Sequence, residues 1–562
     1  MDNLMASPTP GAATAQTAVS RGLSHRQILT VLPGLLLGIF LAALDQTVMS
    51  TAIRTIGDDL NGLSIQAWVT TAFLVTATIA TPVYGKLSDI YGRKPLFMIA
   101  IAVFIVGSVL CGLANSMYML AGFRALQGVG AGGVLPLAFA IVGDLIPPRD
   151  RGRYQGYIVA VFGTASVLGP VTGGFFAGQP TILGISGWRW IFYINVPLGI
   201  LALYVVLRVL KIDHRRRDQR IDWWGAASLV FALVPWLVIA EQGRTWGWQS
   251  GGAYGCYLLG AVGLVAFLRV EIRMGDEALL PLRMFRESMF SLGSAHSIIF
   301  GLGLYGGTFT FPLYLQIVKG ASPTEAGLLM VPLALAQAFG SVLAGQVASR
   351  TGHYKIFPIA GSVLLVLGLA LLAGVGADTP LWESALYMAI FGAGLGLSLQ
   401  IVITAMQNAV DPRDMGVATS AVTFFRQIGG TLGTALFLSI LFAQAATNIP
   451  HELSKSGVSL PPGSAFSVDD TSGLRSLPAT LRNPIITGFS DAISFIFALG
   501  ACILVIGLVL SIMLPEIPLR THTGPQSSDQ TIRAEPTPDP GLTNTFEDSG
   551  DASKTSIAGP LA

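Results

Sequence analysis

Two ionisable residues stand where ionisable groups are costly. Asp45, in Leu44-Asp45-Gln46-Thr47-Val48, lies about sixteen residues into an apolar run, where a carboxylate costs about 2.5 to 3.5 kcal/mol even on the lenient insertion scale. Arg124, in Arg124-Ala-Leu-Gln-Gly-Val-Gly-Ala-Gly-Gly, puts a second charge inside another such run. Gly128 and Gly132 share one face of that helix, the spacing that lets helices approach closely. Burial strengthens a carboxylate's hold on a proton and a nearby arginine weakens it. A carboxyl group exposed alternately to the two environments can therefore load and release a proton. The same residues also permit a permanent Asp45–Arg124 ion pair that only holds helices together, and both readings stay open here.

A second cluster reads Gly85-Lys-Leu-Ser-Asp89-Ile-Tyr-Gly92-Arg93-Lys94. Gly85 and Gly92 permit a tight turn and close helix approach, while Asp89, Arg93 and Lys94 can form charge-assisted bonds. Such a set can latch the ends of two helix bundles and release them. A basic loop with a helix cap would explain the cations but not the whole pattern. Asp144, just before Pro148, is the expected acidic partner. Further on, Gly163-Thr-Ala-Ser-Val-Leu-Gly169-Pro170-Val-Thr-Gly173-Gly174 combines a proline that kinks a helix with glycines that admit a neighbour.

Arg426, in Phe424-Phe425-Arg426-Gln427, is another charge within an apolar run. With Trp68, Phe73, Tyr305, Phe309 and Phe424 it forms a candidate cavity lining, suited to apolar or amphipathic organic solutes. Ser322-Pro-Thr-Glu325 has the pattern of a capping box with proline at the first helical position. His296 has no companion at metal-ligand spacing and reads as structural, so no metal site is expected. Cys111, Cys256 and Cys502 stand singly in apolar runs and read as packing residues.

The elements that must position these groups follow from composition. Of 562 residues, 52% are hydrophobic and 11% charged, against about 25% charged in a soluble domain. A net charge of +2 gives no reason to expect a nucleic-acid partner. A membrane-crossing helix needs about 20 apolar residues, which yields about fourteen spans. They fall near 28–56, 65–85, 95–114, 117–146, 152–178, 189–210, 222–241, 252–271, 290–318, 324–347, 355–376, 382–408, 415–446 and 485–515. With both termini in the cytoplasm, roughly 22 Lys and Arg lie inside and roughly seven outside. Arg215 to Arg217 then face anionic lipid headgroups.

An internal repeat is also visible. The Gly85 cluster has an echo at Gly345-Gln-Val-Ala-Ser-Arg-Thr-Gly-His-Tyr-Lys, and Pro148-Arg-Asp-Arg-Gly152 recurs as Pro412-Arg-Asp-Met-Gly416. Matching order and matching position favour duplication over convergent turn chemistry. The expected plan is all-α, with six, two and six transmembrane helices forming two pseudo-symmetric bundles and an inserted pair. Its parts are a cytoplasmic leader (1–27), a first bundle (28–211), the inserted pair with linkers (212–289) and a second bundle (290–517) with an external loop (448–484). A tail (518–562) follows whose composition predicts disorder.

These residues resemble the major facilitator superfamily, and within it the fourteen-span drug:proton antiporters. The resemblance covers roughly 28–517 and rests on Leu44-Asp45 with Thr47, Gly85 to Lys94, Arg124 to Gly133, Gly163 to Gly174, and Trp188-Arg-Trp-Ile-Phe-Tyr-Ile-Asn-Val-Pro-Leu-Gly199. Ser50-Thr-Ala-Ile-Arg54 departs from the family's more usual Asn-Val-Ala-Leu-Pro. The resemblance implies alternating access, proton coupling at Asp45 and Arg124, a gate latch at Asp89, Arg93 and Lys94, and a kink at Gly169 and Pro170. No cofactor is expected beyond the proton as coupling ion. No Gly-x-x-x-x-Gly-Lys-Ser/Thr phosphate loop occurs, and no clustered nucleophile and base suggest an enzyme. The expected activity is export of small amphipathic or hydrophobic compounds across a plasma membrane by a protein that works as a monomer. A loop without Asn-x-Ser/Thr favours a bacterial source. Alternatives are a lipid or secondary-metabolite exporter of the same fold, or a membrane sensor without transport.

Overall fold

Long apolar runs form helices because lipid leaves every backbone group to be satisfied within its own segment. The computed structural model describes residues 25–60, 66–146, 148–210, 222–411, 414–457 and 477–518. The first half contains α1 (His25–Asp59), α2 (Gln66–Tyr91), α3 (Arg93–Gly112), α4 (Met117–Leu145) and α5 (Pro148–Ala177). A short antiparallel ribbon of β1 (Thr181–Ile182) and β2 (Ile185–Ser186) follows, then α6 (Trp190–Tyr193) and α7 (Asn195–Val209), one span interrupted by a turn at Ile194. The next pair is α8 (Trp223–Trp246) and α9 (Gly251–Met274). The second half contains α10 (Ser288–Leu313), which ends in a π-helical turn, α11 (Pro323–Leu329), α12 (Val331–Thr351), α13 (Ile356–Leu372), α14 (Leu381–Ala409), α15 (Met415–Lys455) and α16 (Ala479–Met513).

Helix starts carry the caps their residues dictate. Ser116, Asp222 and Ser250 each accept a backbone N–H at the head of α4, α8 and α9. Ser322 and Glu325 complete the expected reciprocal box at α11. Among the described residues, eleven helical stretches are long and apolar enough to cross a membrane, and α13 is apolar but only 17 residues long. α2 and α5, of 26 and 30 residues, are also long enough to cross a bilayer. Together these account for the expected fourteen spans.

The two halves repeat one packing scheme. In the first, α4 packs on α2 and α3, α1 on α5 and α7, and α3 on α7; in the second, α14 packs on α12 and α13, α10 on α15 and α16, and α13 on α16. The correspondence is α1 to α10, α2 to α12, α3 to α13, α4 to α14, α5 to α15 and α7 to α16. Between the halves α5 lies against α12 and α2 against α15, two contacts that exchange under this correspondence. The inserted α8 and α9 pack on each other, and α8 reaches both α2 and α15. Apolar side chains such as Leu258, Val262 and Ile272 are exposed along α9, as expected of a helix whose solvent is hydrocarbon.

The largest departure from the expected boundaries is at the end of α15. α15 continues to Lys455 rather than ending near 446, through Pro450, and its 41 residues make it about 60 Å long at 1.5 Å per residue, well beyond a bilayer core. Part of the expected external loop is therefore helical, because hydropathy marks where lipid ends and not where helix ends. The remainder of that loop at 458–476, most of the leader and tail, Arg215 to Arg217, Pro412 and Arg413 lie outside the described residues.

Candidate functional site

Asp45 and Arg124 meet. Arg124 Nη1 lies 2.6 Å from Asp45 Oδ2, and both side chains are buried, Asp45 to 1% and Arg124 to 2% exposure. The other carboxylate oxygen accepts from Gln127 Nε2 and from Asn195 Nδ2, each at 2.9 Å. Arg124 also donates to Gln127 Oε1 at 2.8 Å, and its guanidinium lies over the Phe73 ring, 4.1 Å from the centroid. Asn195 reaches Ser108 Oγ at 2.9 Å, which in turn donates to the Phe192 carbonyl. Helices α1, α3, α4 and α7 all contribute. Gln127 follows Arg124 by one turn and so points the same way. The break at Ile194 puts Asn195 at the head of α7, beside the carboxylate.

This constellation is not saturated. Arg124 Nε and Asn195 Oδ1 are buried without a hydrogen-bond partner. Breaking a buried pair by removing one member costs about 3 to 5 kcal/mol, because the other charge is stranded. The neutral amides of Gln127 and Asn195 can serve either form of the carboxyl group, as donors to the anion and acceptors from the acid.

The second cluster lies where α2 meets α15. Asp89 Oδ1 and Oδ2 accept the backbone N–H groups of Gly416 and Val417, at 3.2 and 3.1 Å, so a residue of one half caps a helix of the other. Arg93 binds Asp89 at 2.5 Å and Asp144 at 2.8 Å, which ties α2, α3 and α4 together. Gly92, with φ of 99°, makes the turn between α2 and α3 that allows Arg93 to fold back on Asp89. A methyl group on Gly85 would overlap the Ser420 side chain, so α2 and α15 approach as closely as glycine allows. Lys94 stays within its own half and donates to the Leu207 carbonyl at 3.0 Å. Arg283, half exposed, links Asp276 and Asp414 at 2.6 and 2.7 Å and adds a weaker strap to the same seam.

α5 runs through Gly169 and Pro170 as one helix, and the side chain of Pro170 lies outside the described residues. Gly169 serves a close approach: Thr47 of α1 occupies the space a side chain would need, and its hydroxyl donates to the Ala165 carbonyl at 3.0 Å. Gly173 is buried and Gly174 exposed. Thr47, Ala165 and Gly169 belong to one tight α1–α5 contact.

The aromatic residues read as a cavity lining are dispersed. Phe73 supports Arg124, Trp68 packs against Trp246 of the inserted pair with centroids 6.2 Å apart, and Phe424 is buried edge-on to Phe425. Tyr305 fills the space beside Gly430 and faces Arg426, and the side chains of Phe309 and Arg54 lie outside the described residues. Phe73 and Phe424 are buried in one packed hydrophobic core, at 1% and 2% exposure. Arg426 lines a small cavity with His296, Ser297, Phe300 and Ser398. Gln127, Asn195 and Ser108 were missed by sequence reasoning; polar residues in runs otherwise apolar were the available signal.

The sequence pattern of the Major Facilitator Superfamily matches residues 35–434. The chain is 36% identical over 520 residues to an uncharacterized MFS-type transporter of Mycobacterium tuberculosis, covering 92% of this chain and 74% of that one. It is 35% identical over 503 residues to Multidrug resistance protein 3 of Bacillus subtilis, covering 87% of this chain and 96% of the other. Among solved structures, the proton:xylose symporter XylE superposes with a TM-score of 0.58 at 16% identity, over 88% of this chain and 97% of XylE. The repeated six-helix packing, the span count and these matches together make this chain a member of the Major Facilitator Superfamily.

Proposed function

We propose that the protein exports small amphipathic or hydrophobic compounds by alternating access, in exchange for protons, with both termini in the cytoplasm of a bacterial cell. The observation that carries this reading is Asp45, a carboxylate at membrane depth held by one arginine and two amides that can accommodate either protonation state. Relatives named for multidrug resistance and multidrug transport support the substrate class. The Asp89 cap on α15 serves as the cytoplasmic latch, reinforced by Arg93 and Asp144, and Gly85 lets the seam close.

The energies are commensurate. A helix cap is worth about 0.5 to 2 kcal/mol. One charge moving through 100 mV supplies about 2.3 kcal/mol, enough to release such a latch or to hold about a fifty-fold solute gradient. Everted vesicles energised to an acidic lumen should accumulate an amphipathic dye and lose part of their pH gradient when it is added. Accumulation that survives collapse of the proton gradient would refute the coupling, and no accumulation across a broad panel of dyes would refute export.

A further inference from the structure

Among the described residues, two buried arginines lie within membrane-spanning helices away from their ends, and their surroundings are opposite. Arg124 has a carboxylate; Arg426, on α15 and 7% exposed, has none among the described residues. Its electrostatic neighbour is the Tyr305 hydroxyl, a neutral group. A guanidinium removed from water without a counter-anion is strongly disfavoured, so its retention calls for an anion from elsewhere. Arg426 lines the cavity between α10, α14 and α15. His296 of α10 lines it too, 2% exposed, with its ring stacked on Phe300 and Nε2 lacking any hydrogen-bond partner. Arg426, without a carboxylate, and His296 Nε2, without a hydrogen-bond partner, thus come from different helices to one space, lined also by Ser297, Ser398, Phe300, Val402 and Val422.

We propose that Arg426 and His296 form a binding site for the anionic group of an amphipathic organic solute, a carboxylate being the simplest. Arg426 supplies the charge and a forked set of donors, and His296, protonated at Nε2, adds a neutral donor. The cavity as it stands, about 10 Å³, has room for little more than the anionic group, so the solute's body enters only as the helices move apart. The inference rests on the export reading and sharpens it, since it makes organic anions a favoured substrate class. It concerns binding alone, so its test is independent of proton coupling.

The test compares 1-pyrenebutyrate with 1-pyrenebutanol, which share a ring system and chain and differ in charge. Binding to the purified full-length protein is read by energy transfer from tryptophan to pyrene. The wild type should bind the acid about tenfold more tightly than the alcohol, the effect of one charge-assisted hydrogen bond. Arg426→Gln should remove the preference and leave the alcohol's affinity unchanged. Arg426→Lys should keep part of it, and His296→Ala should reduce it. No preference in the wild type, or equal losses for both probes in Arg426→Gln and Arg426→Lys, would overturn the proposal.

Discussion

At Asp45 a single carboxyl group receives one guanidinium and two amides within 2.9 Å. Such a group is either a structural brace or a proton carrier, and stability and transport respond differently in the two cases. Asp45→Asn strands Arg124 and should destabilise the protein by about 3 to 5 kcal/mol. The double variant Asp45→Asn/Arg124→Gln removes both charges and should recover most of that loss in a thermal melt, yet remain unable to exchange protons for solute. Recovery of transport together with stability would make the pair a brace. Asp45 and Arg124 were legible in sequence because a charge in an apolar run has a quantifiable cost. Their contact was not legible, because 79 positions separate them. Asn195 and Gln127 escaped notice because a neutral amide costs far less than a charge and so stands out less.

Among elements, the decisive contact is α2 against α15. Gly85 faces Ser420 there without room for a methyl group, and Asp89 caps the first turn of α15. Gly85→Val should hold these ends apart, lower transport at least about tenfold, a 1.4 kcal/mol effect, and leave the fold intact because the collision lies at a seam that must open. Labelling of a cysteine placed at Ser420 in the Gly85→Val background would report the opened seam by faster reaction. Labelling as slow as in the Gly85 protein would contradict it. The sequence announced this cluster through the spacing of Gly85, Asp89, Gly92 and Arg93, but not that Asp89 would bond to the backbone of the other half. A backbone N–H carries no residue signature. Helix existence was likewise legible from apolar run length, whereas the overrun of α15 to Lys455 and the break before Asn195 depend on tertiary packing that hydropathy does not encode.

On the scale of the whole molecule, the repeated packing of the halves and the exchange-symmetric contacts α5–α12 and α2–α15 provide two similar seams. Two such seams suit a rocking motion in which one opens as the other closes. The first half houses Asp45 with Arg124, and the second houses Arg426 with His296, so ion and solute have separate seats in this account. Coupling then requires that solute binding in one half alter the proton affinity of the other through the shared seams. The most direct test is proton release by the purified protein in weakly buffered detergent solution, followed with a pH-indicator dye as a transported solute is added. The account predicts release by the wild type and none by Asp45→Asn at equal solute occupancy. Equal release by both proteins would contradict it.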